Sequence, residues 1–169
     1  MNTSSANCIQ LSPSEMMQAA IVGVMRNVGA IKQGRQPIAG QKPEHLWSNH
    51  IEGALAEMAA AKVLGVYWSG TVNTFAADDL EDYEVRQTAK DDGPLIVRPH
   101  DDNTSIYILV TGVNGMYRVV GWLSGEDAKK EHFKASPGGR PAAYFVPQSE
   151  LNNIEEIHEH RTHRATSWP

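Results

Sequence analysis

An apolar repeat near the start of the chain sets the first element. Met17, Ala20, Ile21, Val24 and Val28 recur at three- and four-residue steps, which predicts one apolar stripe on a helix running to about Gly34. Ser12-Pro13-Ser14-Glu15 predicts where it begins, with Ser12 as cap, Pro13 in the first turn and Glu15 at the third position. A methionine-rich stripe of this kind reads as core. Residues 1–12 read as a loose leader, and residues 34–45 (GRQPIAGQKPEH) as a loop. A second helix is predicted from Pro43 or Leu46 to Leu64, stopped by Gly65. Its alanines allow close approach to a sheet. Among them stands Glu57, a carboxylate in a costly place unless it is paired, exposed or bound to a cation.

The pattern then changes period. Residues 66–75 (VYWSGTVNTF) read as a loop leading into a short strand, and Asp78 to Asp82 as an acidic turn. Tyr83 to Thr88 alternates as a strand does: Asp82, Glu84 and Arg86 fall on one face, Tyr83 and Val85 on the other. Leu95 to Val97 is a short apolar strand. Ser105 to Val113 and Met116 to Leu123 are the clearest strand pair, joined by the hairpin dipeptide Asn114-Gly115. Their near-continuous hydrophobicity places them at the centre of a sheet. A short helix is expected over Glu126 to Phe133, a strand over Ala142 to Val146, and a last helix from Pro147 to about His158. The order predicts an α+β (mixed α/β) fold, a central mixed sheet flanked by helices. It is read as one domain over residues 1–157, with a helical segment at about 13–34 and a core at about 46–157. Residues 158–169 read as a mobile, His-rich tail.

Composition narrows the function classes. The net charge of −5 excludes coating of nucleic acid by bulk charge but leaves room for a local basic groove. Cys8 is the only cysteine, so an intrachain disulfide and a cysteine-only zinc site are both excluded. The polar start MNTSSANC lacks the basic opening of a secretory signal, and no apolar run reaches membrane-span length. The expected location is the cytoplasm.

The stretch AADDLEDYEVRQT, from Ala76 to Thr88, concentrates the candidate chemistry. Phosphodiester hydrolysis needs charge neutralisation and an activated water. A hard divalent cation held by carboxylates supplies both. Asp79, Glu84 and Arg86 fit that kit, and Glu57 completes it if its helix crosses the strand. His50 shares a helical stripe with Glu57 and could touch a phosphate. Lys90 lies just past the strand, and Gly138-Gly139-Arg140 forms a basic loop.

On these residues the chain resembles the PD-(D/E)xK nuclease superfamily. The resemblance implies a restriction-endonuclease-like fold and a DNA nuclease. Glu57, Asp79 and Glu84 would hold Mg²⁺ or Mn²⁺, Glu84 and Arg86 would be catalytic, and His50, Lys90 and Arg140 would contact substrate. The segments HIEGALAEMAAAKVLG, GWLSGEDAKKE and GGRPAAYFVPQSEL also resemble small proteins of bacteriophages and prophages, which implies a bacterial host cell. DNA is then the implied partner, with a host or phage protein and a second copy of the chain as further candidates. Arg86 departs from the pattern, which usually has lysine there. A lysine can share its proton with the attacking water, whereas an arginine stays charged. The alternative is therefore a nuclease-like fold that binds nucleic acid or protein without cutting, or an inhibitor of a host enzyme. For Glu84 and Arg86 the plain alternative is a same-face ion pair on an edge strand. For Asp78, Asp79, Glu81 and Asp82 it is a solvated turn.

Overall fold

The computed structural model describes residues 7–35, 42–72, 80 and 83–158. Strand β1 (Cys8–Gln10) leads into helix α1 (Pro13–Lys32) and then α2 (Leu46–Leu64). Five strands follow in chain order: β2 (Tyr83–Thr88), β3 (Leu95–Val97), β4 (Ile106–Val113), β5 (Met116–Ser124) and β6 (Lys134–Ala135), with a one-turn helix α3 (Gly125–Ala128) after β5. Strand β7 (Ala143–Val146) is the last.

The α1 start is the capping box read from Ser12 and Glu15. The Glu15 backbone N–H donates to Ser12 Oγ at 3.3 Å, and the Ser12 N–H donates to the Glu15 carboxylate at 2.7 Å. Helix α2 ends where Gly65 turns left-handed. The β4–β5 turn also follows the sequence: Asn114 and Gly115 both take positive φ, 56° and 85°, as the tight hairpin turn demands.

The large sheet has the order β1-β5-β4-β2, with β2 parallel to β4 and the other pairs antiparallel. It is therefore a mixed sheet, and β4 and β5 occupy its centre as expected. Four layers result. Helix α2 lies on one face of the sheet, and its Ala56, Ala59 and Ala60 share one core with Tyr83, Val85, Ile106, Ile108 and Val119. A helix apolar all round must be covered all round, and α1 closes the far side of α2. The second face of the sheet presents Tyr107, Leu109 and Leu123 to a small antiparallel sheet, order β3-β7-β6, through Leu95, Val97 and Val146. Long helices thus cover one face and a second sheet covers the other, where the sequence reading expected helices to flank it. Glu52 of α2 accepts bonds from the Tyr117 hydroxyl and the Asn114 N–H, tying the helix to the hairpin.

Four local expectations are corrected. The stripe of α1 is not core: Met17, Ile21, Val24 and Val28 are exposed, and the buried positions are Ala19, Gly23, Asn27 and Gly29. The reason is the closeness of α1 to α2. A Cβ on Gly23 would stand 2.5 Å from the His50 carbonyl oxygen, so only small residues fit that seam. The leader contributes β1, which pairs with Met116 to Arg118 of β5. Because β1 is so short, the edge of β5 beyond it stays open, and Asn152 occupies it. Trp122 and Asn152 exchange backbone bonds at 3.1 and 2.9 Å, and the Trp122 indole N–H donates to the Asn153 carbonyl at 3.0 Å. That pairing holds the segment extended, so the expected C-terminal helix is reduced to 3-10 turns at Gln148–Glu150 and Ile154–Glu156. The expected helix over Glu126 to Phe133 likewise stops at Ala128. Lys129 turns its ammonium to the Pro99 carbonyl (3.1 Å), the Asp101 carbonyl and Asn103 Oδ1 (2.7 Å) instead. Residues 66–72 form the expected loop, and residues 73–75, where it was expected to lead into a strand, lie outside the described residues.

Candidate functional site

The acid expected on the helix is engaged elsewhere. Glu57 is buried and meets Arg26 of α1 fork to fork: Arg26 Nη2 donates to Oε2 at 2.9 Å and Nη1 donates to Oε1. The Trp68 indole N–H donates to the same Oε2 at 3.1 Å, and Arg26 Nε donates to the Thr71 carbonyl at 2.9 Å. A bidentate guanidinium with an added indole bond is a strong arrangement for a buried carboxylate. It neutralises Glu57 and pins the 66–72 segment against both helices. Trp68 is thereby a loop anchor and not a stacking platform.

Glu84 and Arg86 lie on the opposite side of the sheet. Alternation along β2 turns Tyr83 and Val85 toward α2, so Glu84 and Arg86 face the small sheet. Their register partners on β4 are Tyr107 and Leu109, which belong to that second core. Glu57 and Glu84 therefore do not converge. Asp79, the expected third ligand, lies outside the described residues, as do Asp78 and Asp82. Among the described residues no three His, Cys, Asp or Glu side chains gather as a metal site.

What the structure does bring together on β2 is a carboxylate pair with a guanidinium between. Arg86 Nη1 donates to Glu84 Oε2 at 3.0 Å, and Nη2 donates to Asp101 Oδ2 at 3.2 Å. The guanidinium carbon sits 5.0 Å from the centre of the Tyr107 ring, a cation–π distance. Asp101 is fixed in turn by the Arg98 backbone N–H at 2.8 Å. Burial first, then the Asp101 carboxylate, pushes the Tyr107 hydroxyl up to about 12. The same hydroxyl donates to the Asp102 carbonyl at 2.9 Å. Burial lets Arg86 and its acids act at short range, so this ion pair is more than a loose surface contact.

Of the remaining expected contacts, His50 lies on the helical side, half-buried against α1. Burial, helped by Arg26 and Arg35, lowers its pKa and favours the neutral ring, which suits packing better than phosphate binding. Lys90 falls in the turn after β2, four residues past Arg86, or roughly 13 Å along an extended strand. Arg140 is the one that gains company. It lines a groove of about 440 Å³ with Arg98 and His100, over a floor that includes Ile96 and Phe145. His100 connects this groove to the ion pair, its Nε2 standing 3.9 Å from Asp101 Oδ1.

Sequence reasoning missed Arg26, Arg98, His100 and Asp101. The signal for the last three was the run Val97-Arg98-Pro99-His100-Asp101, basic and acidic residues directly after a short apolar strand. Only the β3–β7 pairing brings that run beside the Gly138-Gly139-Arg140 turn. Arg26 carried no such signal, since nothing in its surroundings in the chain marks it as the partner of Glu57. Comparison with protein-family models, with curated proteins and with solved structures finds no match to this chain.

Proposed function

We propose that this chain binds nucleic acid, as a single strand or a strand end, and does not cleave it. The observation that carries this reading is the groove in which Arg98, His100 and Arg140 surround an apolar floor containing Ile96 and Phe145. Positive side chains suit phosphate, and an aromatic ring with an aliphatic neighbour suits a base face. The adjoining Glu84 and Asp101 support the non-cutting part of this reading. Arg86 already occupies the space between them, where a divalent cation would have to sit, and a guanidinium cannot surrender its proton to activate water. In this reading the restriction-endonuclease-like resemblance describes a frame whose cation has been replaced by an arginine.

The test is fluorescence anisotropy with labelled single-stranded and duplex DNA and with RNA, in EDTA. Single strands should bind most tightly. The Arg98→Ala/Arg140→Ala double variant should weaken binding more than tenfold and flatten its salt dependence by about two phosphate contacts. Undiminished binding by the double variant, or no binding by the parent protein, would overturn the proposal.

A second reading rests on Glu84 and Asp101 flanking one site: a Mg²⁺- or Mn²⁺-dependent deoxyribonuclease in which these two carboxylates would hold the metal in place of Arg86 and the metal would supply an activated water. Cleavage of any DNA substrate in the presence of either metal, lost in Glu84→Ala, would establish it.

A further inference from the structure

The outer face of α1 carries a continuous row of exposed large apolar side chains. Met17 (66% exposed), Ile21 (54%), Val24 (37%), Met25 (51%), Val28 (37%) and Ile31 (59%) line it from end to end. Five of these, Met17, Ile21, Val24, Val28 and Ile31, are separated by steps of four, three, four and three. That is a heptad seam, with Ile21 and Val28 at one core position and Met17, Val24 and Ile31 at the other. The opposite face of α1, with Ala19, Gly23 and Asn27, is already buried on the protein. The seam is thus a second, independent face and not a displaced core.

We infer that the chain forms a symmetric dimer in which α1 packs antiparallel against α1 of a second copy. Two observations select that occupant. The seam carries no charge, so it asks for a partner face as apolar as itself, and its own copy is such a face. The area is also sufficient. At roughly 80 Å² for each exposed side chain, six supply about 500 Å² per copy and about 1,000 Å² per pair, the threshold for a biological interface and the size of a weak, reversible one.

Charge sets the direction. Lys32 flanks the seam in the last turn of α1. Parallel helices would place two Lys32 ammonium groups side by side. Antiparallel helices separate them by most of the roughly 30 Å length of a 20-residue helix and align the helix dipoles favourably. A two-fold axis then crosses the helices near Val24. The groove at Arg98 and Arg140 lies on the far side of the sheet, so each copy keeps its groove open. The dimer does not depend on the nucleic-acid reading.

Sedimentation velocity of the full chain over a wide concentration range tests the inference. The expected result is a reversible monomer–dimer equilibrium. Ile21→Glu and, separately, Val28→Lys should each weaken it more than tenfold while thermal melting at low concentration stays that of the parent, since both positions are exposed in the monomer. In a Cys8→Ser background, Val24→Cys should form an intermolecular disulfide readily, and Lys32→Cys should not. A chain that remains monomeric throughout overturns the inference. So does a monomer that adsorbs to neutral phosphatidylcholine vesicles through the same residues, which would assign the seam to lipid. Crosslinking through Lys32→Cys in preference to Val24→Cys overturns the antiparallel arrangement.

Discussion

Glu57→Gln separates a structural carboxylate from a catalytic one. The change keeps the shape of the side chain and removes its charge. Arg26 then loses its opposite charge and the bond from Nη1, which would face an amide NH₂, and is left partly buried, with 19% of its side chain exposed. The Trp68 indole keeps an acceptor in the amide oxygen. Breaking a buried ion pair from one side costs about 3–5 kcal/mol. Because Arg26 retains some access to water, the lower end applies, about 3 kcal/mol. For a chain of this size that corresponds to a fall in melting temperature of roughly 6–12 °C. The double variant Arg26→Met/Glu57→Met removes both charges together. It should recover most of the loss, because two apolar side chains avoid the desolvation that the pair had to offset. Circular dichroism melts and urea titrations of the parent, Arg26→Met, Glu57→Met and the double variant give the coupling directly. The reasoning fails if Glu57→Gln melts with the parent protein. It also fails if the variant keeps its stability and loses a metal-dependent activity, for then Glu57 would serve a cation and not Arg26.

Two more outcomes follow from other contacts. Gly23→Ala should destabilise by about 1–3 kcal/mol in a urea titration, although alanine is the better helix former by about 1 kcal/mol, because its Cβ would meet His50 O at 2.5 Å and Ile51 Cα at 2.6 Å; a gain in stability would show that α1 and α2 are not in such close contact. The Lys62 ammonium, then the Ser12 N–H, hold the Glu15 carboxyl down to about 2. A depressed folded-state pKa contributes stability above the unfolded value, 4.5, that is lost as pH falls through about 2. Glu15→Gln should accordingly melt lower than the parent near neutral pH, by about 0.5–1 kcal/mol, and the two melts should converge near pH 2; a gap that persists there would contradict the pairing.

The sequence by itself determined what local chemistry can specify. Ser12 and Glu15 form their capping box whatever surrounds them, Gly65 ends its helix, and Asn114-Gly115 turns its hairpin. Alternation put Tyr83 and Val85 on one face of β2 and Glu84 with Arg86 on the other, which is a property of the strand alone. Periodicity also found the α1 stripe, but it could not say what the stripe faces. A row of apolar residues reads the same whether it meets the interior or a second molecule. The choice was made by Gly23 and its neighbours, whose small size lets α1 settle on α2 by its other side.

Partners distant in the chain were decided only by the tertiary structure. Glu57 and Glu84 sit in segments that resemble one site, yet the sheet lies between them. The partner of Glu57 is Arg26, 31 residues upstream, brought there by helix packing. Arg86 gains Asp101, 15 residues downstream, because the loop after β3 folds over the sheet. The basic groove arises in the same way, where the pairing of β3 with β7 sets Arg98 beside Arg140. The extended path of residues 151–153 likewise follows from the open edge that a three-residue β1 leaves on β5. Local propensity acts over a few residues, while ion pairs and open sheet edges act across space, and only the folded chain says which of them meet.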